Sequence, residues 1–190
     1  MEKHWVTLFS QTGSEIARLK QRVGRWPDVI ITNNADVDSW CKELRELHKR
    51  IEGRSYYKPM SQIKIINSTQ AKTLNVLHNF AAKDSLITLH GWLRIIPGDI
   101  CEQYDIYNGH PGLINVHPEL KGKDPQVRAY EGGYATIGSV VHECTAELDG
   151  GDIKEWSATY QDEFDTLDDC FAKLAHTSFN AWEKFFDNQK

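Results

Sequence analysis

Leu113-Ile114-Asn115-Val116-His117-Pro118 sets a side-chain amide and an imidazole two residues apart at the end of an apolar run. In a strand, residues so spaced share a face. Pro118 stops the run, so Asn115 and His117 are expected side by side at the carboxyl end of a strand, where ligands of open α/β sheets bind. Further on, Glu147-Leu148-Asp149-Gly150-Gly151 offers a carboxylate on a turn whose glycines let the backbone come close. Amide, imidazole and carboxylate form a polar set that can steady negative charge on a carbonyl oxygen and move protons. The same residue types at a strand end also serve as plain structural hydrogen-bonding groups.

The elements that must position this set alternate. Trp5–Ser10, Asp28–Thr32, Ile63–Ile66, Ser85–Leu89 and Leu113–Val116 read as strands, being short, apolar and rich in β-branched residues. Between them lie helical patterns: Glu15–Val23 with Ser14 as its cap, Asp36–Ile51 through Val37, Trp40, Cys41, Leu44, Leu47 and Ile51, and a helix from Ser68 to Phe80 with Ala71, Leu74, Leu77 and Ala81 on one face. Gly53–Ser61 reads as a polar, aromatic loop. A short helix follows Pro97 and another starts at Pro125. Thr136–Cys144 and Ile153–Tyr160 have no helix between them and read as an antiparallel pair, and Thr166–Phe186 closes the chain as a helix. Its expected apolar stripe is Leu167, Cys170, Phe171, Leu174, Phe179, Trp182 and Phe186. The pattern predicts an α/β fold: a doubly wound, mostly parallel but mixed twisted sheet with helices on both faces.

A chain of 190 residues is expected to form a single domain over 1–190. With 40% hydrophobic and 26% charged residues it reads as a globular, soluble protein. Its net charge of −5 speaks against a nucleic-acid partner, and no apolar run suits a membrane. The four cysteines are scattered and the start lacks an apolar signal core, which together predict reduced thiols and a cytoplasmic protein. The eight histidines form no metal-binding spacing, so no metal is expected; His110 falls in a turn-rich Asn108-Gly109-His110-Pro111-Gly112 stretch and is read as a loop residue. His90 either faces the site or is buried for structure. Trp5, Trp26 and Trp40 fit either a core or an oligomer face.

Leu89-His90-Gly91-Trp92-Leu93-Arg94-Ile95-Ile96, then Leu113–Leu120, then Ile137–His142 and Glu147–Ile153 stand in one order and spacing. That ordered set resembles the folate-dependent formyltransferases, above all their phosphoribosylglycinamide formyltransferase branch. The resemblance covers about residues 84–153. It implies a Rossmann-type formyltransferase domain with an acceptor half over about 1–83, a folate and catalytic half over about 84–160 and a closing helix over about 161–187. It further implies 10-formyltetrahydrofolate as co-substrate and a small-molecule amine as partner, the protein being a monomer or homodimer.

What the resemblance assigns residue by residue is this. Asn115 and a protonated His117 donate to the formyl oxygen, with Asp149 keeping the imidazole cationic and relaying a proton. Asn115→Ala, His117→Ala and Asp149→Asn would then each keep the fold and lose transfer. The folate pocket falls on Trp92, Leu93, Arg94, Ile95 and Ile96 and on Cys144, Thr145, Ala146, Glu147 and Leu148. Gln11, Thr12, Gly13 and Ser14 match the turn that receives a substrate phosphate at a helix start. Departures are visible: Gln11 and Glu15 replace a glycine and an asparagine of that turn, and Lys121 and Lys123 replace apolar residues. The two lysines fit a phosphate, the folate tail or plain solvation, and Arg54 and Lys58 are the candidates for a missing phosphate-binding arginine. Glycinamide ribonucleotide is therefore the leading acceptor, an amino sugar on a nucleotide or another modified nucleotide the alternative, and water, making the chain a hydrolase, a further one.

Overall fold

Val29-Ile30-Ile31-Thr32 is buried at every position, as a parallel strand covered on both faces must be. The structure, a computed structural model, describes residues 3–53, 63–68 and 70–189. They fall into two compact units, Met1–Ile106 and Tyr107–Lys190. The loop expected over Gly53–Ser61, with Arg54 and Lys58, lies almost wholly outside the described residues, as do the side chains of Ala71 and Leu74.

In the first unit, β1 (Trp5–Phe9), β2 (Val29–Thr32), β3 (Lys64–Asn67) and β4 (Leu86–Leu89) run parallel in the order β3-β2-β1-β4. Their crossovers carry α1 (Ser14–Val23), α2 (Lys42–Glu52) and α3 (Gln70–Phe80), and the short α4 (Gly98–Cys101) follows β4. Phe9, Ile16, Ile30, Trp40 and Leu44 form one buried cluster of this unit.

Two local expectations are corrected. Ser14 is the first helical residue of α1 and not its cap. Gly13 enters the helix in the left-handed conformation at φ 68°, and a Cβ there would lie 2.2 Å from Leu44 Cδ1. The helix expected from Asp36 to Ile51 is interrupted. Val37–Ser39 forms a single 3-10 turn, its start capped by the Asp36 carboxylate. Trp40 and Cys41 then turn extended, because Trp40 packs edge-on against Phe9 at 5.6 Å and the Cys41 N–H donates to Thr12 O at 2.8 Å.

In the second unit, β5 (Ile106–His110), β6 (Thr136–Glu143) and β7 (Ile153–Tyr160) form an antiparallel meander. The other elements are α5 (Pro125–Glu131) and α6 (Leu167–Asp187). Thr166 and Asp169 close α6 with a reciprocal capping box. Its buried stripe is Cys170, Leu174, Thr177, Ala181, Trp182, Phe185 and Phe186, while Phe171 is 41% exposed. The sequence reading missed Thr177 because its hydroxyl is paired with Ser139 Oγ at 3.0 Å and so is buried at no polar cost.

The largest correction concerns the fifth strand. It spans Ile106–His110; Leu113–Val116 is not a strand but one helical turn, in which the Val116 and His117 N–H groups both donate to Leu113 O. Pro111 ends β5 and Pro118 follows the turn, leaving the apolar run too short to pair. Leu113 and Ile114 are buried in succession and Val116 is 60% exposed, a pattern of turn and not of alternation.

Candidate active site

Because β5 ends on Asn108-Gly109-His110, the same amide–x–imidazole spacing is present one motif earlier than expected. Asn108 and His110 point to one face, and Asn108 lies directly opposite His142 of β6, whose pairing with β7 shifts register between Val141 and His142. The loop after β6 brings Asp149 to the same place. Asp149 is buried, with Oδ2 3.4 Å from His110 Nδ1 and Oδ1 3.4 Å from His142 Nε2, and it accepts the Gly122 N–H at 2.8 Å.

The hydrogens of this cluster follow from its neighbours. His110 Nε2 must donate to Leu120 O at 2.9 Å, and His142 Nδ1 must donate to Glu143 O at 2.9 Å, since carbonyls only accept. His142 Nε2 lies 3.2 Å from Asn108 Nδ2 and 3.4 Å from Asp149 Oδ1. Burial pushes the His110 imidazole below its ordinary range, outweighing the opposite pull of the Asp149 charge and the Leu120 carbonyl. For Asp149, burial alone acts upward, but the flanking His142 and His110 rings and the Gly122 N–H together hold the carboxyl below its ordinary range. With Asp149 ionised and His110 neutral, Oδ2 and Nδ1 face each other with no hydrogen between them. The pair thus has a place for one proton.

Stability should record this. A His whose folded pKa is lowered binds fewer protons folded than unfolded, so its favourable contribution holds above pH 6.5 and fades as pH falls below that value. Asp149 adds a second loss below about pH 3.8, by the same sign. Urea midpoints measured from pH 8 to 5 are expected to fall in the wild type below pH 6.5 and to fall less in His110→Gln.

Asn115 and His117 are elsewhere. Asn115 is exposed in its turn, and neither residue contacts Asp149 among the described residues. His117 stacks edge-on against Tyr134 at 4.4 Å and its Nδ1 lies 3.3 Å from Glu119, whose carboxylate also accepts the Tyr134 hydroxyl. The expectation that Asn115, His117 and Asp149 meet is thus corrected to Asn108, His110, His142 and Asp149. The missed signal was the second Asn-x-His-Pro, Asn108-Gly109-His110-Pro111. Its glycine reads as loop, yet a Cβ at Gly109 would lie 2.6 Å from Trp182 Nε1, so packing dictates glycine within the strand.

The other expected pocket residues fall in two places. In the second unit, Glu147 pairs with Lys121 at 3.1 Å and Leu148 is exposed beside buried Asp149; Thr145 and Ala146 are exposed and Cys144 is half-buried. The Lys123 ammonium is solvated and lies 3.6 Å from the Asp124 carboxylate. In the first unit, Trp92 and Ile96 are buried, whereas Leu93 and Ile95 are 66% and 70% exposed and flank exposed Arg94. Ser10, Asn33, Asn34, Leu93 and Arg94 line a cleft of about 360 Å³. Exposed aliphatic side chains beside backbone and amide groups suit a flat ring with polar edges.

The turn Gln11–Ser14 is internally engaged: the Thr12 hydroxyl donates to Ser14 Oγ at 3.2 Å, and Asn34 Nδ2 donates to Gln11 O at 2.9 Å. Glu15, in the first turn of α1, reaches His90 Nδ1 at 2.8 Å. His90 is buried, with Nε2 3.0 Å from Thr88 Oγ1, and its contact with Glu15 is one that no sequence spacing announced.

The chain resembles known proteins throughout. The profile of the formyl transferase family matches residues 6–181. Formyltetrahydrofolate deformylase of Synechocystis is 34% identical over 92 residues, covering 46% of this chain and 30% of that protein. Phosphoribosylglycinamide formyltransferase of Dictyostelium discoideum is 25% identical over 128 residues, covering 60% and 62% respectively. The chain thus matches less than two thirds of the length of these relatives. The crystal structure of phosphoribosylglycinamide formyltransferase from Anaplasma phagocytophilum superposes with TM-score 0.75 at 22% identity, over 97% of this chain and 84% of that one. The likeness establishes the α/β fold with its mostly parallel, mixed sheet. No helix among the described residues is long and apolar enough to cross a membrane.

Proposed function

Since the chain belongs to the formyl transferase family, we propose that it moves a formyl group from 10-formyltetrahydrofolate to a small amine, as a single catalytic domain. The observation that carries this reading is the Asn108–His142 and His110–Asp149 cluster, with a preset donor and a place for one proton. When bound, the formyl donor supplies a one-carbon acyl group whose oxygen gains negative charge as an amine nitrogen attacks its carbon. Asn108 Nδ2, held by His142, is the donor for that oxygen, and a single well-aimed donor of this kind contributes about 3–4 kcal/mol. The proton lost by the attacking nitrogen goes to the Asp149–His110 pair, which returns it to the folate nitrogen as the old C–N bond breaks. Cys144–Leu148, next to Asp149 in the chain, are the proposed folate contacts.

The acceptor is the finer question. Glycinamide ribonucleotide leads by resemblance, with the turn Gln11–Ser14 and the start of α1 as the place for its phosphate. The Glu15–His90 pair puts a fixed carboxylate in that first helical turn, which favours an acceptor without a phosphomonoester, such as an amino sugar on a nucleotide. Water is the second reading, favoured by the similarity to deformylases. The test is incubation with 10-formyltetrahydrofolate and a panel of these amines, following tetrahydrofolate release. Release only with an amine supports transfer and names the acceptor. Release without one makes the chain a hydrolase, and no release under either condition overturns the reading.

A further inference from the structure

Arg128, in α5, spreads its guanidinium over a run of backbone carbonyls. Nε donates to Lys123 O at 3.0 Å, Nη1 to Glu119 O, and Nη2 to Leu120 O at 3.1 Å and Lys121 O at 2.7 Å. The segment it grips starts in the 3-10 turn Pro118–Leu120 and runs on through left-handed Gly122 and Asp124, at φ 83° and 52°, so its carbonyls need outside donors. That segment supplies two backbone groups that touch the His110–Asp149 pair. Leu120 O receives His110 Nε2, and the Gly122 N–H reaches Asp149 Oδ2. A planar guanidinium can hold several carbonyls in a fixed fan; a single ammonium cannot.

We propose that Arg128 is a positioning residue. By tying the carbonyls of residues 119–123 it fixes Leu120 O where only an Nε2–H imidazole fits, leaving His110 Nδ1 bare for the proton exchanged with Asp149. This rests on the reading that His110 and Asp149 serve formyl transfer, but the geometric part is independent of it. The charged and titratable groups facing the His110 ring are Asp149, His142 and Arg128 itself. The Arg128 charge also opposes an imidazolium, so removing it moves the His110 titration upward.

The test compares wild type, R128K and R128Q by long-range ¹H–¹⁵N correlation of the histidine rings at pH 8 and by turnover. The wild type is expected to show His110 as a pure Nε2–H tautomer. R128K, which keeps the charge and loses the fan, is expected to give a tautomer mixture and about a 10–100-fold lower kcat with little change in KM. R128Q adds an upward shift of the His110 titration midpoint and of the acid limb of the pH–rate profile; should it fail to fold, R128K decides. A pure Nε2–H ring in R128K overturns the proposal, as does an unchanged kcat. A tautomer mixture in a protein whose wild type turns over no formyl donor upholds the lock and rejects the reaction instead.

Discussion

Asn108→Ala is expected to lower formyl-transfer turnover by about 10²–10³-fold, the cost of removing one preorganised donor to a developing oxyanion. His110→Ala and Asp149→Asn are expected to lose about 10²–10⁴-fold, the usual range for a positioned acid–base group. The reciprocal substitutions separate this assignment from its sequence neighbour. Asn115→Ala and His117→Ala remove an exposed amide and a ring packed on Tyr134, neither of which touches Asp149, and should leave kcat within about twofold, being surface changes away from the cluster. Tetrahydrofolate release by the purified variants, with circular dichroism to confirm folding, checks all of them. Equal loss in His117→Ala and His110→Ala, or a near-normal Asn108→Ala, would reject the assignment.

Trp182→Ala is expected to destabilise the protein by about 3–5 kcal/mol, measured as a shift in the urea unfolding free energy. The indole is fully buried, packs edge-on against Phe185 at 5.5 Å and lies 6.1 Å from Phe186. Its ring also fills the space that a side chain at position 109 would need. The variant therefore leaves a large cavity beneath the strand end that carries Asn108 and His110. A loss below 1 kcal/mol would mean that the cavity collapses and that Gly109 is not set by this contact. Restoring bulk with Trp182→Phe should recover part of the stability, since the aromatic neighbours remain.

Much of the fold was legible because burial repeats with the period of the backbone. β1, β2 and β4 are continuous apolar runs, β6 and β7 have the length and spacing of a hairpin without a helix between them, and α6 carries its own capping box. The site was half legible. Asp149 could be placed because Leu148-Asp149-Gly150-Gly151 is unusual in itself. Choosing between two Asn-x-His-Pro motifs was beyond pattern alone: one has valine at its centre and looks like strand, the other has glycine and looks like loop. The contact that reverses the choice comes from Trp182, far along the chain. His142 offered a readable sign, a polar residue at the end of an apolar strand, but its partner across the ladder depends on register. Glu15–His90 depends likewise on two residues distant in sequence meeting in space.

Asp149 sits at φ 50°, in the left-handed region that costs a residue bearing a Cβ something like 1–2 kcal/mol. Glycine would relax that backbone, but it would also remove the acceptor of the Gly122 N–H and a carboxylate whose ionised form the fold favours. Selection in the laboratory for heat resistance alone would therefore admit asparagine first, which tolerates the left-handed region and still accepts that N–H. Such a replacement would silently lose the chemistry, so any such campaign must score catalysis in every round.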